Sequence, residues 1–82
     1  MKEYYSLYVM VDCEESKQAI ALLQEKEKLF LTIVMDKNPL FAEMIKNDMK
    51  IDNTPIVVQQ LEDSSIKIIG GLKELETHLL KG

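Results

Sequence analysis

The chain has 82 residues, enough to bury one hydrophobic core and too few for two. Hydrophobic residues make up 46% and charged residues 29%, an ordinary globular composition, so residues 1–82 are predicted to form a single domain. With 14 acidic and 10 basic side chains the net charge is -4, which argues against nucleic acid or an anionic membrane as a partner. No apolar run approaches the roughly 20 residues that a membrane-spanning helix needs.

Cysteine usage and the N-terminal sequence both favour the cytoplasm. The first residues lack the basic start and apolar stretch of a signal peptide. The single cysteine, Cys13, cannot form an internal disulfide, which suits a reducing compartment, and any disulfide it forms must be with an outside thiol. One Cys and one His cannot assemble a zinc site from soft ligands, so no metal is expected. We expect a monomer.

The first half of the chain alternates between strand and helix patterns. A strand rich in aromatic and β-branched residues, an amphipathic helix and a second apolar strand are predicted at Tyr5–Val11, about Glu14–Glu27 and Phe30–Met35. The first strand contains little polarity and is therefore predicted to lie in the centre of a sheet. A second helix begins with Asn38 as its N-cap and Pro39 at its first position.

The second half adds two strands and a closing helix. The apolar face of the second helix is predicted to consist of Phe41, Met44 and Ile45, and the breaker sequence 52–55 ends this region. Strands are predicted at Ile56–Gln60 and Ile66–Ile69, most simply paired as an antiparallel hairpin. A leucine stripe then marks the last helix, at Leu72, Leu75 and Leu79.

The predicted order is β-α-β-α-β-β-α, an α/β fold. A strand, a helix and a strand in succession favour a parallel crossover, and the terminal hairpin adds antiparallel strands to the same sheet. The expected product is a four-stranded mixed sheet with three helices. His78 lies off the leucine stripe of the last helix and is predicted to be a solvated surface residue.

Three short motifs fall at the junctions between these elements. Cys13-Glu14-Glu15-Ser16 joins the first strand to the first helix, Thr54-Pro55 opens the third strand, and Gly70-Gly71 closes the fourth. Over Tyr5 to Leu80 the chain resembles the glutaredoxins, of the thioredoxin fold, in their single-thiol Cys-x-x-Ser form. The resemblance implies that Cys13 is the reactive thiol, that the bond before Pro55 is cis and faces it, and that Gly70-Gly71 turns into the last helix.

A thiol in this position has a definite chemistry. The thiolate attacks a disulfide, and N–H groups at a helix start together with Lys17, one turn on, favour that charge, whereas Asp12, Glu14 and Glu15 oppose it. Because Ser16 replaces the second cysteine, a mixed disulfide on Cys13 must be released by an external thiol. Ser16 itself either contacts the sulfur or satisfies backbone donors of the first turn.

The resemblance also implies glutathione as co-substrate and a set of substrate-binding residues. This set comprises Lys17, Thr54, Pro55, Gly70, Gly71, Lys73 and Glu74. Lys73 and Glu74 stand where the family has a hydroxyl residue and an aspartate that bind the γ-glutamyl end of glutathione. Met10 stands where it has a lysine, and Glu14 and Glu15 replace its usual Pro and aromatic residue.

The expected function is therefore thiol-disulfide oxidoreduction with glutathione, protein thiols or protein disulfides as partners. One alternative is a redox-silent binding module that grips an extended peptide between Cys13 and Pro55 by main-chain hydrogen bonds. Iron–sulfur cluster carriage, as in glutaredoxins with a Cys-Gly-Phe-Ser motif, is disfavoured because Glu14 replaces the glycine.

Overall fold

A computed structural model describes residues 3–51 and 54–81. Asp52 and Asn53, two residues of the predicted breaker sequence, lie outside the described residues. The elements are, in chain order, β1 (Tyr4–Val9), α1 (Glu14–Glu25), β2 (Phe30–Val34), α2 (Pro39–Met49), β3 (Ile56–Gln60), β4 (Ile66–Gly70) and α3 (Leu72–Leu80). Within the described ranges, no helix is both long and apolar enough to cross a membrane.

The four strands form one mixed sheet in the order β2-β1-β3-β4. β1 is parallel to β2, with Tyr5 opposite Phe30, and antiparallel to β3, with Leu7 opposite Val57. β3 and β4 pair as an antiparallel hairpin. The predicted α/β architecture, with three helices, a mixed sheet and an interior first strand, is confirmed.

Helices cover both faces of the sheet. One face carries Tyr5, Leu7, Val9 and Val57, which pack against Ala19 and Leu23 of α1 and Leu75 of α3. On the opposite face, Ile56 and Val58 pack against Met35 and against Ala42 and Ile45 of α2. Alternate residues of a strand point to opposite faces, so an interior strand between two such layers is apolar on both sides.

The start of α2 follows the predicted capping pattern, and its buried face differs from the prediction at one residue, Met44. The side chain of Asn38 accepts a hydrogen bond from the backbone N–H of Phe41 at 3.1 Å, and Pro39 is the first helical residue. Met44 is 52% exposed, so its assignment to the core is wrong. Ile45 and the partly buried Phe41 pack on this core as predicted, and Ala42 takes the place of Met44, because Ala42 lies three residues before Ile45 on the same side of the helix.

Three predicted elements are shorter than the sequence pattern indicated. β1 ends at Val9 instead of Val11, because the N–H of Val11 donates to the Asp36 carboxylate at 2.8 Å instead of to a strand. α1 ends at Glu25 because Glu27 adopts a left-handed φ of 56°. β2 ends at Val34, one residue early.

Candidate functional site

Cys13 lies between the end of β1 and the start of α1. Its backbone is extended and occupies the N-cap position, and its carbonyl accepts the first helical hydrogen bond from the N–H of Lys17. The thiol is free and partly exposed. The first-turn N–H groups of a helix have no partner within the helix, so they surround the sulfur with hydrogen-bond donors.

The segment before β3 brings Thr54 and Pro55 against the thiol. The sulfur of Cys13 donates to the carbonyl oxygen of Thr54 at 3.5 Å, across 41 residues of sequence. The Thr54–Pro55 peptide bond is cis, and Pro55 is fully buried. The cis bond and its position beside Cys13 were both predicted, and both predictions are confirmed.

Ser16 is buried one turn into α1. It is 1% exposed, and its Oγ has no hydrogen-bond partner among the described residues. A buried hydroxyl without a partner costs about 1 to 3 kcal/mol. Because Ser16 lies close to the sulfur of Cys13, ionisation of the thiol provides this hydroxyl with an acceptor.

Hydrogen-bond donors around the sulfur favour the thiolate. Burial raises the pKa of the Cys13 thiol, but hydrogen bonds from the Ser16 hydroxyl, from the side chain of Thr54 and from the backbone N–H groups of Ser16 and Glu15 together outweigh burial. The net result is a pKa below the ordinary value of the thiol. The direction of this shift, which opposing charges left open in the sequence, is therefore downward.

The charged side chains near Cys13 are exposed. Glu14 and Lys17 form an ion pair at 3.7 Å, with 78% and 60% of their side chains exposed. Lys17 is therefore held by a carboxylate of its own helix. Asp12 and Glu15 are exposed beside them.

Gly70 and Gly71 lead the chain from β4 into α3. Gly70 has a φ of +123°, which side-chain-bearing residues rarely adopt, and Gly71 is the N-cap of α3. The N–H of Gly71 donates to Oε1 of Glu74 at 2.8 Å, so Glu74 caps its own helix. A Cβ on Gly71 would lie 3.7 Å from the carbonyl oxygen of Pro55, which places the start of α3 beside the thiol segment.

Lys73 and Met10 are turned toward other surroundings. Lys73 and Glu74 line a cavity of about 380 Å³ between β4 and α3, whose lining includes Lys67, His78 and Lys81 but not Cys13. The side chain of Met10 packs against the α2-side core. Of the predicted substrate-binding residues, Thr54, Pro55 and Gly71 therefore lie together near the thiol, whereas Lys73 faces a separate cavity.

His78 is not the solvated residue that the sequence suggested. It is half-buried and meets the ring of Tyr5 edge-on, with 6.0 Å between ring centroids. Burial, followed by the charges of Lys67, Lys28 and Lys81, lowers the pKa of His78. Because α3 lies flat on the sheet, a position beside the leucine stripe still reaches Tyr5 of the core.

Asp36 was not singled out in the sequence. Its carboxylate accepts the N–H of Val11, and this contact ties the segment after β2 to the loop that carries Cys13. Parallel neighbouring strands end at the same edge of a sheet, so the segments that follow β1 and β2 are expected to lie close together. Across residues 3–51 and 54–81, no group of three His, Cys, Asp or Glu side chains is placed to hold a metal ion.

No known protein family matches the chain, and no curated protein matches it either.

Proposed function

We propose that the protein is a thiol-disulfide oxidoreductase of the glutaredoxin-like, thioredoxin-fold type that works through one thiol, Cys13. The observation that carries the proposal is the surroundings of its sulfur. The sulfur lies at a helix start, 3.5 Å from the Thr54 carbonyl oxygen and close to the buried hydroxyl of Ser16, which has no partner in the part of the chain that the structure describes. Hydrogen bonds from the Ser16 and Thr54 side chains and from the N–H groups of the first helical turn lower the pKa of this thiol, which remains accessible to a disulfide.

The proposed reaction has two exchange steps. The Cys13 thiolate attacks one sulfur of a disulfide, which forms a mixed disulfide and releases the other sulfur as a thiolate. An external thiol then attacks the mixed disulfide, so the Cys13 thiolate leaves and a new disulfide forms. Each step breaks one S–S bond and makes another, so the protein needs neither a metal nor a bound redox cofactor for it.

Glutathione is the proposed external thiol, in a reducing compartment such as the cytoplasm. The start of α3 at Gly71, next to Pro55, offers backbone N–H groups to a carboxylate of glutathione. Glu74 already accepts the N–H of Gly71 through one oxygen, which leaves its other oxygen for an ammonium group. Lys73 and Glu74 both line the cavity between β4 and α3, but Glu74 also accepts the N–H of Gly71 beside Pro55, so we expect Lys73 to contribute less than Glu74 to glutathione binding.

Replacing Ser16 by cysteine is expected to convert one-thiol chemistry into two-thiol chemistry. After treatment with oxidised glutathione, the wild-type protein should keep one glutathione on Cys13 until an external thiol is added. Ser16→Cys should expel the glutathione and form an internal disulfide, because a Cys-x-x-Cys pair at a helix start brings the second sulfur within reach. Intact mass before and after alkylation distinguishes the two products.

Ser16→Ala is the matched control, since it also removes the hydroxyl but supplies no thiol. It should keep the adduct as the wild type does. A wild-type protein that takes up no glutathione would favour the redox-silent peptide-binding module. Persistence of the adduct in Ser16→Cys would contradict the proposed geometry of the motif.

A further inference from the structure

The surface around the thiol is acidic. Asp12, Glu14 and Glu15 are exposed within two residues of Cys13, and Asp36 is exposed and anchored to the Cys13 loop through the N–H of Val11. These four carboxylates, which we call the acidic rim, stand at the edge of an accessible sulfur. An incoming disulfide must therefore approach through a region of negative charge.

The cations near the acidic rim offset it only in part. Lys17 is paired with Glu14 at 3.7 Å, and Lys37 follows Asp36 in the chain. Four carboxylates and two ammonium groups leave a net charge of about -2 beside the thiol, by the usual ionisation states. Lys73, the next lysine that could neutralise the acidic rim, lines the cavity between β4 and α3 together with Lys67 and Lys81.

The rim and the thiol occupy one site with separate roles. The buried Ser16 hydroxyl, which lacks a partner among the described residues, stands close to the sulfur, and the hydrogen bonds around the sulfur determine its ionisation. The rim carboxylates are exposed, so their charges act on whatever approaches from solvent. Charge at the edge of a site selects partners and alters the rate of encounter.

We infer that the preferred substrates of Cys13 are disulfides flanked by positive charge, such as a disulfide or mixed disulfide beside Lys or Arg in a basic partner protein. This inference rests on the proposed thiol-disulfide function and deepens it. The Cys13 thiolate attacks the disulfide sulfur next to the cationic group, the Cys13–sulfur bond forms, and the other sulfur leaves as a thiolate. A small thiol such as glutathione then releases the product by a second exchange.

Disulfides of matched size and different charge test the inference. Cystamine carries an ammonium group near each sulfur, 3,3′-dithiodipropionate carries a carboxylate, and 2-hydroxyethyl disulfide is neutral. The rate of each with the reduced protein is divided by its rate with 2-mercaptoethanol, which removes differences in intrinsic reactivity. In water a unit charge about 7 Å away changes the rate at which a singly charged group is encountered by roughly threefold. A net charge of about -2 beside the thiol therefore predicts that the normalised rate with cystamine exceeds that with 3,3′-dithiodipropionate by about tenfold or more at about 0.01 M ionic strength.

Salt and substitutions identify the source of the ratio. The ratio of the cationic to the anionic disulfide rate should fall toward one at about 1 M salt, where the screening length is about 3 Å. The double variant Asp12→Asn/Glu15→Gln should reduce it several-fold while the neutral disulfide still reacts. Glu25→Gln/Glu27→Gln also removes two exposed carboxylates, at the other end of α1 about 16 Å along the helix, and should leave the ratio unchanged.

The possible results separate the inference from the proposed function. If the neutral disulfide reacts but the ratio is near one, or if Glu25→Gln/Glu27→Gln lowers the ratio as much as Asp12→Asn/Glu15→Gln does, the inference is overturned and the function stands. If none of the three disulfides modifies Cys13, the proposed function is overturned together with the inference.

Discussion

Replacing Cys13 by serine is expected to abolish disulfide exchange. A hydroxyl group cannot form the mixed disulfide, so the first exchange step has no nucleophile, and the chain contains no second cysteine to replace it. The expected loss is complete within the sensitivity of an assay that follows reduction of 2-hydroxyethyl disulfide. Activity that remained in Cys13→Ser would contradict the mechanism.

The fold should survive this substitution, which makes the loss interpretable. Cys13 is the N-cap of α1, and as a thiol it donates to the Thr54 carbonyl and makes no cap hydrogen bond, whereas serine is among the preferred N-cap residues. The free energy of unfolding is therefore expected to stay the same or to rise by up to about 1 kcal/mol. Urea unfolding of both proteins checks this, and a large destabilisation would mean that the thiol has a structural role.

Replacing Gly70 by alanine is expected to destabilise the fold by about 2 to 4 kcal/mol, because it adds backbone strain to a steric clash. Gly70 has a φ of +123°, and an added Cβ would lie 2.8 Å from Cγ and 2.9 Å from Cβ of Glu74. Relief would require moving the first turn of α3, and that turn starts beside Pro55. The cost is measured as the change in the free energy of unfolding in urea.

Gly71→Ala is the matched control for this prediction. Gly71 has a φ of -96°, and its added Cβ would meet the end of the flexible Glu74 side chain at 3.3 Å. Alanine also reduces the conformational freedom of the unfolded chain, so the change should stay within about 1 kcal/mol. Equal costs at the two positions would show that the backbone conformation of Gly70 does not matter.

Local rules predicted much of this fold from the sequence. Asn38 and Pro39 mark the start of α2 because a cap and a proline act within one helical turn, whatever the rest of the chain does. The limits of β3 were predicted correctly because Pro55 precedes it and polar residues follow it. The resemblance to the glutaredoxins, and not a local rule, placed Thr54 and Pro55 at the thiol.

Tertiary contacts decided what the sequence could not. The choice of Ala42 over Met44 for the core depends on how α2 is rotated against the sheet, which no pattern within the helix determines. Opposing charges in the sequence left the direction of the Cys13 pKa shift open, and the buried hydroxyl of Ser16 is the largest of the influences that lower that pKa. Asp36 is 23 residues from Cys13 along the chain, and only the parallel pairing of β1 and β2 brings it to the loop.

The pH dependence of Cys13 alkylation, in folded and in urea-unfolded protein, tests most directly whether this fold activates the thiol. Because alkylation consumes the thiolate, the alkylation rate rises as the pH passes through the pKa of the thiol. A pKa lowered by the hydrogen bonds predicts a midpoint at lower pH in the folded protein, and Ser16→Ala should move that midpoint back toward the unfolded value. A folded midpoint at or above the unfolded one, with slow alkylation near neutral pH, would contradict the proposed role of Cys13.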